Sequence, residues 1–280
     1  MPDVVLTGLP RSGSTLTCHL LNHCADTVAL HEPMPMGQFT REHRGGDLVN
    51  RIVAFYQDCR NSLLTRGSAP SVGIDGQVPD NMFGALRGQD DLRRNLAVLD
   101  EVSFDKPLSP DFVLAIKHNA GFTALLEPLM ERLPCYGIVR HPLAVLCSWN
   151  SVDLPVQQGR IPVAERIHPE LRAELDALPT RADRQLRLVE WFFERMLRLL
   201  PRASILRYED LIATQGRVLS VAAPAAAALR EEMTSLNDNP AYERATLLDL
   251  GRRLLERDGA FWELYSKDSV REMMAKAEGA

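Results

Sequence analysis

Apolar residues in this chain fall in short blocks separated by turn-forming or charged residues. Val4 to Thr7 is a compact aliphatic run, and a glycine-bearing turn carries it into a helically spaced segment from Thr15 to Asn22. Thr27 to Leu30 reads as a second buried strand, ended at His31-Glu32-Pro33, where proline discourages continuation. Residues 46 to 64 are helical in pattern. Residues 66 to 91 are rich in Gly, Pro, Asp and Ser and predict a long surface connection with little regular structure. Order resumes with a strand from Phe112 to Ile116, ending at Lys117, and a helix from about Thr123 to Leu133. The unit then repeats: Cys135 to Val139 is a buried strand, Arg140-His141 its exit, and Pro142 suits a first helical turn.

Residues 153 to 180 carry prolines and charges and predict a partly helical excursion. Leu186, Val189, Phe193, Met196 and Leu200 recur at three- and four-residue steps, so Ala182 to Leu200 predicts a long amphipathic helix, its buried face widened by Trp191 and Phe192. Ser204 to Arg207 gives a last strand before Tyr208-Glu-Asp-Leu211, and the remainder reads as mostly helical, including the Ala-rich stretch 222–228. No internal repeat is present. Strands alternating with helices imply parallel pairing, hence one three-layer α/β/α domain over 1–280 around a central parallel sheet. Ligands of such sheets gather at the strands' carboxyl ends, where Arg11, Glu32, Lys117, Arg140 and Tyr208 all lie.

Composition narrows the function. Of 280 residues 45% are apolar, roughly 126 side chains, ample for a packed interior. A net charge of −5 disfavours a broad nucleic-acid surface and leaves room only for a focused anion pocket. No stretch approaches the roughly 18 to 20 apolar residues of a membrane span. The first residues lack the basic flank and cleavage site of a signal peptide, so a cytoplasmic protein is expected. Five cysteines (18, 24, 59, 135, 147) without a CxxC pair suit buried thiols. Arginine outnumbers lysine 28 to 4, a bias read as genomic base composition.

Residues 8 to 15, Gly-Leu-Pro-Arg-Ser-Gly-Ser-Thr, keep the frame of a phosphate-binding P-loop, with Ser14 where lysine belongs. Backbone N–H groups around Gly13 and the following helix N-terminus can still cradle an anion, with Arg11 supplying charge from inside the loop. A Mg-dependent kinase places an acid at a neighbouring strand end. Here those ends offer Lys117, Arg140 and Arg207, with Glu209 and Asp210 just beyond.

Three segments together resemble the PAPS-dependent sulfotransferase superfamily, over roughly residues 4 to 212. Thr7 to Leu16 resembles its 5′-phosphosulfate loop, Ile138-Val-Arg-His-Pro142 through Ser148 its 3′-phosphate segment, and Leu206-Arg-Tyr-Glu-Asp-Leu211 a recurring strand and turn. The likeness is greatest to the branch of tyrosylprotein and carbohydrate sulfotransferases, where a glutamate after the first helix begins the acceptor site, the place of Glu32. The resemblance implies a P-loop-containing nucleoside triphosphate hydrolase-like fold. It also implies a donor, 3′-phosphoadenylyl sulfate (PAPS), a product, adenosine 3′,5′-diphosphate, and no metal. It gives Arg11, Ser12, Gly13, Ser14 and Thr15 to the 5′-phosphosulfate, Arg140 and Ser148 to the 3′-phosphate, and Tyr208 to the adenine.

Two features depart from the superfamily. The Arg-Lys-Gly loop of its cytosolic branch has no counterpart, Arg244, Arg252 and Arg253 being poor substitutes, and Lys117-His118-Asn119 stands where that branch has Lys-Thr-His. Glu32 is expected to accept the acceptor hydroxyl's proton, its pKa raised by partial shielding, with His118 the rival base. Lys117 and Arg11 are expected to neutralise charge on the leaving oxygen. The resemblance implies a sugar or another small hydroxyl compound as acceptor, a protein tyrosine staying open, as does the oligomeric state. The excursions 66–91 and 153–180 are candidate lids or acceptor walls. Competing readings are a P-loop small-molecule kinase and a non-catalytic nucleotide-binding protein. His19 and His23, near Cys18 and Cys24, read as core packing, since the HExxH glutamate is missing.

Overall fold

The computed structural model describes residues 3–38, 46–88 and 90–279. Among the described residues nine strands run in chain order: β1 (Asp3–Gly8), β2 (Thr27–His31), β3 (Ser68–Gly73), β4 (Phe83–Arg87), β5 (Arg93–Asn95), β6 (Val98–Ser103), β7 (Val113–Lys117), β8 (Cys135–Val139) and β9 (Ile205–Arg207). The α-helices are α1 (Ser14–Asn22), α2 (Gly46–Arg66), α3 (Asn119–Ala124), α4 (Leu126–Met130), α5 (Pro142–Trp149), α6 (Pro162–Ile167), α7 (Pro169–Ala177), α8 (Arg181–Leu199), α9 (Tyr208–Ala213), α10 (Arg244–Leu255) and α11 (Lys267–Gly279).

Five strands form one sheet in the order β2-β7-β1-β8-β9, every neighbouring pair parallel. Side chains alternate across it, as period-two geometry requires. Val5, Val28, Leu30, Leu114 and Ile116 enter one core with α2, α5 and α8, whereas Val4, Leu6, Ala29, Ala115 and Ile138 enter another with α1 and α9. Apolar surface on both faces is why these strands are continuous hydrophobic runs, and the result is the expected α/β/α layering. From central β1 the chain goes through α1 to one side of the sheet, and later from β8 to β9 on the other. The carboxyl ends of β1 and β8 thus flank the point where connections diverge, the usual place for a crevice.

Three expectations fail. The 66–91 connection, described except at residue 89, contains β3, which pairs antiparallel with β6, and β4, which pairs with β5. β3 alternates between half-buried and buried positions, but its buried residues are Ala69, Ser71 and Gly73, too small to register as hydrophobic periodicity. The expected helix 123–133 begins earlier and breaks at Leu125. Pro128 has no N–H for the carbonyl four residues back, that of Ala124. Arg195 Nη2 donates to that carbonyl instead at 3.2 Å, and the His168 ring lies 2.9 Å from it. The Ala-rich stretch is only a short 3₁₀ turn, Pro224–Ala228, and 229–243 carries no helix or strand.

Other readings hold. The excursion 153–180 is partly helical, with α6 and α7, and α8 buries Trp191, Phe192 and Phe193. The five cysteines are free and buried. No helix among the described residues is long and apolar enough to cross a membrane. His19 is half-buried against the Val78 carbonyl, at 3.1 Å, but His23 is exposed and pairs with Glu231 at 3.1 Å. That corrects its reading as core.

Candidate functional site

A crevice of about 500 Å³ opens at the carboxyl edge of the sheet. Its floor begins where β1 ends. Gly8 has φ 146, and a Cβ there would sit 2.1 Å from the Ile138 carbonyl oxygen, so only glycine lets the chain turn so close to β8. Arg11 (φ 68) and Gly13 (φ 90) are left-handed, and a Cβ on Gly13 would meet the Tyr208 ring at 2.7 Å. The loop therefore curls tightly into α1, whose first turn has no side-chain cap. Gly13, Ser14 and Thr15 line the crevice beside those uncapped N–H groups, an arrangement suited to an anion.

Arg11 and Arg140 border the same crevice. Arg11 lies over the Phe83 ring, 4.5 Å from its centre, and donates to Ser148 Oγ and Asn81 Oδ1, both at 3.2 Å. Burial, then the neighbouring Arg93 and Arg140, lowers its pKa to about 10, so it stays charged at neutral pH in a site that would welcome negative charge. Arg140 stacks 4.6 Å over Tyr208. It donates to Asn237 Oδ1 at 2.8 Å, to the Arg11 carbonyl at 3.1 Å, to Tyr242 Oη at 3.2 Å and to the Leu236 carbonyl. Tyr208 lines the crevice too and receives a hydrogen bond from Leu236 N–H at 2.9 Å.

Ser12 and Ser148 do not line the crevice. Ser12 Oγ donates to the Ile138 carbonyl at 2.9 Å, which pins the loop to β8, and Ser148 Oγ accepts from Arg11. In this conformation their hydroxyls position the loop and its arginine rather than face a ligand.

At the other end stands Glu32, held with φ 46 and with its N–H donating to the Lys117 carbonyl at 2.8 Å. Lys117 Nζ donates to Glu32 Oε1 at 2.8 Å; the lysine is fully buried, whereas the glutamate side chain is 37% exposed and lines the crevice. Burial raises the pKa of this carboxyl, but Lys117 above all outweighs it and holds the group well below the usual carboxylate range. The expected elevation is thereby corrected: a cation in contact dominates over shielding. Lys117 is not in the lining and meets the crevice through its contact with Glu32. His118 is corrected as well. Burial pushes its pKa down to about 4, and Nε2 accepts the Met34 N–H at 3.2 Å, so its basic lone pair is already engaged.

Sequence reasoning missed the roof. Met233, Thr234 and Leu236 line the crevice with Tyr208, and Asn81 and Asn119 line it as well. The turn-forming run Asn237-Asp-Asn-Pro240 was the only signal for that roof. Both excursions contribute walls, through Asp80 to Met82 and through Leu154 to Val163. Among the described residues no cluster of three His, Cys, Asp or Glu could hold a metal ion. No protein-family model matches this chain, and no curated protein matches it either.

Proposed function

We propose that this chain is a PAPS-dependent sulfotransferase with a P-loop-like fold, transferring a sulfuryl group to a hydroxyl acceptor. One observation carries the reading: the 8–15 loop, Arg11, Arg140 and Tyr208 converge on a single crevice whose opposite end presents Glu32. Two arginines and a free helix N-terminus fit a ligand with separate anionic groups, and a carboxylate beyond them fits a proton acceptor.

The residues divide the work as follows. Arg11 and the N–H groups of Gly13, Ser14 and Thr15 hold the 5′-phosphosulfate, and Tyr208 packs beside the nucleoside. Arg140 takes the 3′-phosphate by exchanging the neutral oxygens of Leu236 and Asn237 for charged ones, since charge-assisted hydrogen bonds are roughly twice as strong. Ser148 supports this by fixing Arg11. In the transfer, the acceptor oxygen forms its bond to sulfur as the bond from sulfur to the 5′-phosphate oxygen breaks. That oxygen keeps the electron pair beside Arg11, and the acceptor's proton passes to Glu32. A loose transition state releases that proton late, so an ionised carboxylate of low basicity suffices. Lys117 is a positioning residue that keeps Glu32 ionised and aimed.

A kinase reading has less support, because Glu209, the acid nearest the last strand, is already engaged. It accepts from His141 N–H at 3.0 Å, Asn237 Nδ2 at 2.9 Å and Tyr265 Oη at 2.8 Å. Calorimetric titration of the purified chain with adenosine 3′,5′-diphosphate, against ATP with magnesium, tests the proposal. Preference for the diphosphate, followed by sulfate transfer from PAPS to a hydroxyl panel, is expected; preference for ATP with magnesium would overturn it.

A further inference from the structure

The acceptor end of the crevice has a chemical bias of its own. The sheet order places Glu32, after β2, and Asn119, after β7, on the side of β1 away from Arg140 and Tyr208. Helix α6 packs against α3, which follows β7, and so brings the 154–163 segment over this end. The lining it supplies is mostly aliphatic: Leu154, Val156, Ile161, Pro162 and Val163, with Ala120 from α3. Arg160, the charged residue of that segment, lines the crevice too, but its guanidinium is paired with Glu165 and Asp176, with contacts of 2.6 and 2.5 Å. Asn119 also lines the crevice, and its Oδ1 is buried without a hydrogen-bond partner among the described residues.

We infer that the acceptor is an apolar alcohol with a single hydroxyl, an inference that rests on the sulfotransferase reading above. Such a compound donates its one O–H to Glu32, beside Asn119, and lays its hydrocarbon body along the aliphatic part of the wall, gaining affinity by removing apolar surface from water. A sugar would press several hydroxyls against the aliphatic part of this wall, and each stripped of water without a partner opposes binding. A phenol such as tyrosine gains no aromatic partner from this wall. The crevice must also hold the nucleotide, so the acceptor is small.

The test uses the whole chain saturated with adenosine 3′,5′-diphosphate, titrated with cyclohexylmethanol, methyl glucoside and N-acetyltyrosinamide. Cyclohexylmethanol is expected to bind at least about tenfold tighter than either competitor, since a few methylene contacts suffice for that ratio. Leu154→Asn and Val163→Asn, both at half-buried positions, are each expected to weaken it about fivefold or more and to leave diphosphate affinity unchanged. Tighter binding of the glucoside or the tyrosine derivative, no binding of any of the three, or unchanged cyclohexylmethanol affinity in both variants overturns the acceptor class while the donor reading stands. Failure of the diphosphate itself to bind overturns both.

Discussion

Arg140 donates to the backbone carbonyl of Arg11 at 3.1 Å, so one guanidinium shapes the loop that carries the other. Arg11 sits at φ 68, a left-handed conformation that a non-glycine residue holds only when its surroundings fix it. Arg140→Lys keeps the charge but loses the fork that reaches Arg11, Asn237, Leu236 and Tyr242. Affinity for adenosine 3′,5′-diphosphate should fall about tenfold or more, with a lower melting temperature. Calorimetry showing unchanged affinity would remove Arg140 from the nucleotide site.

Glu32→Gln should preserve diphosphate affinity and lower turnover about 100-fold or more, the usual scale for losing a positioned base. It also leaves Lys117 buried beside a neutral partner. Removing one member of a buried pair costs about 3 to 5 kcal/mol; the partial exposure of Glu32 reduces this to about 1 to 3. The double variant Glu32→Gln with Lys117→Met should regain that stability in urea melts without regaining turnover. Recovery of turnover would show that the carboxylate is not the proton acceptor.

Stability should fall steadily from pH 7 to pH 4. Burial holds His118 and His141 down to about 4 and His31 to about 3, whereas unfolded histidine titrates near 6.5. Within that window the unfolded chain binds more protons than the native one, so acid favours unfolding, by at most on the order of 3 kcal/mol per histidine. Glu32 behaves as a carboxyl with depressed folded pKa: its contribution is full above about 4 and is lost only below that. Urea midpoints measured across this range test the sign, and His118→Gln should flatten the slope.

Gly13→Ala should destabilise the fold by about 1 to 3 kcal/mol, combining left-handed strain with a clash on Tyr208. Adding Tyr208→Ala relieves the clash but not the φ strain, so thermal melts should show partial recovery of the Gly13→Ala loss relative to Tyr208→Ala alone.

The central sheet was legible because its strands bury both faces and therefore show as uninterrupted aliphatic runs bounded by charges. The tight turn from β1 into α1 was legible because glycines at 8 and 13 answer backbone demands that no other residue meets. β3 was hidden by Ala69, Ser71 and Gly73, whose burial leaves no hydrophobic signature. The ionisation of Glu32 depends on which neighbour it touches, and the contact with Lys117 spans 85 positions of sequence. The hold of Asn237 on Arg140, across 97 positions, is likewise a tertiary fact with no local pattern.

The central position of β1 has a consequence for synthesis. Asp3 must wait for Leu114, and Val5 for Cys135, before the first strand has neighbours on both sides. Until then the nascent chain carries an apolar segment with two bare edges, the condition that recruits chaperones and slows folding. Gly8 and Ser12 also take their places against Ile138. Translation arrested before that residue would release a product with the sequence of the 8–15 loop but without the template that gives it shape.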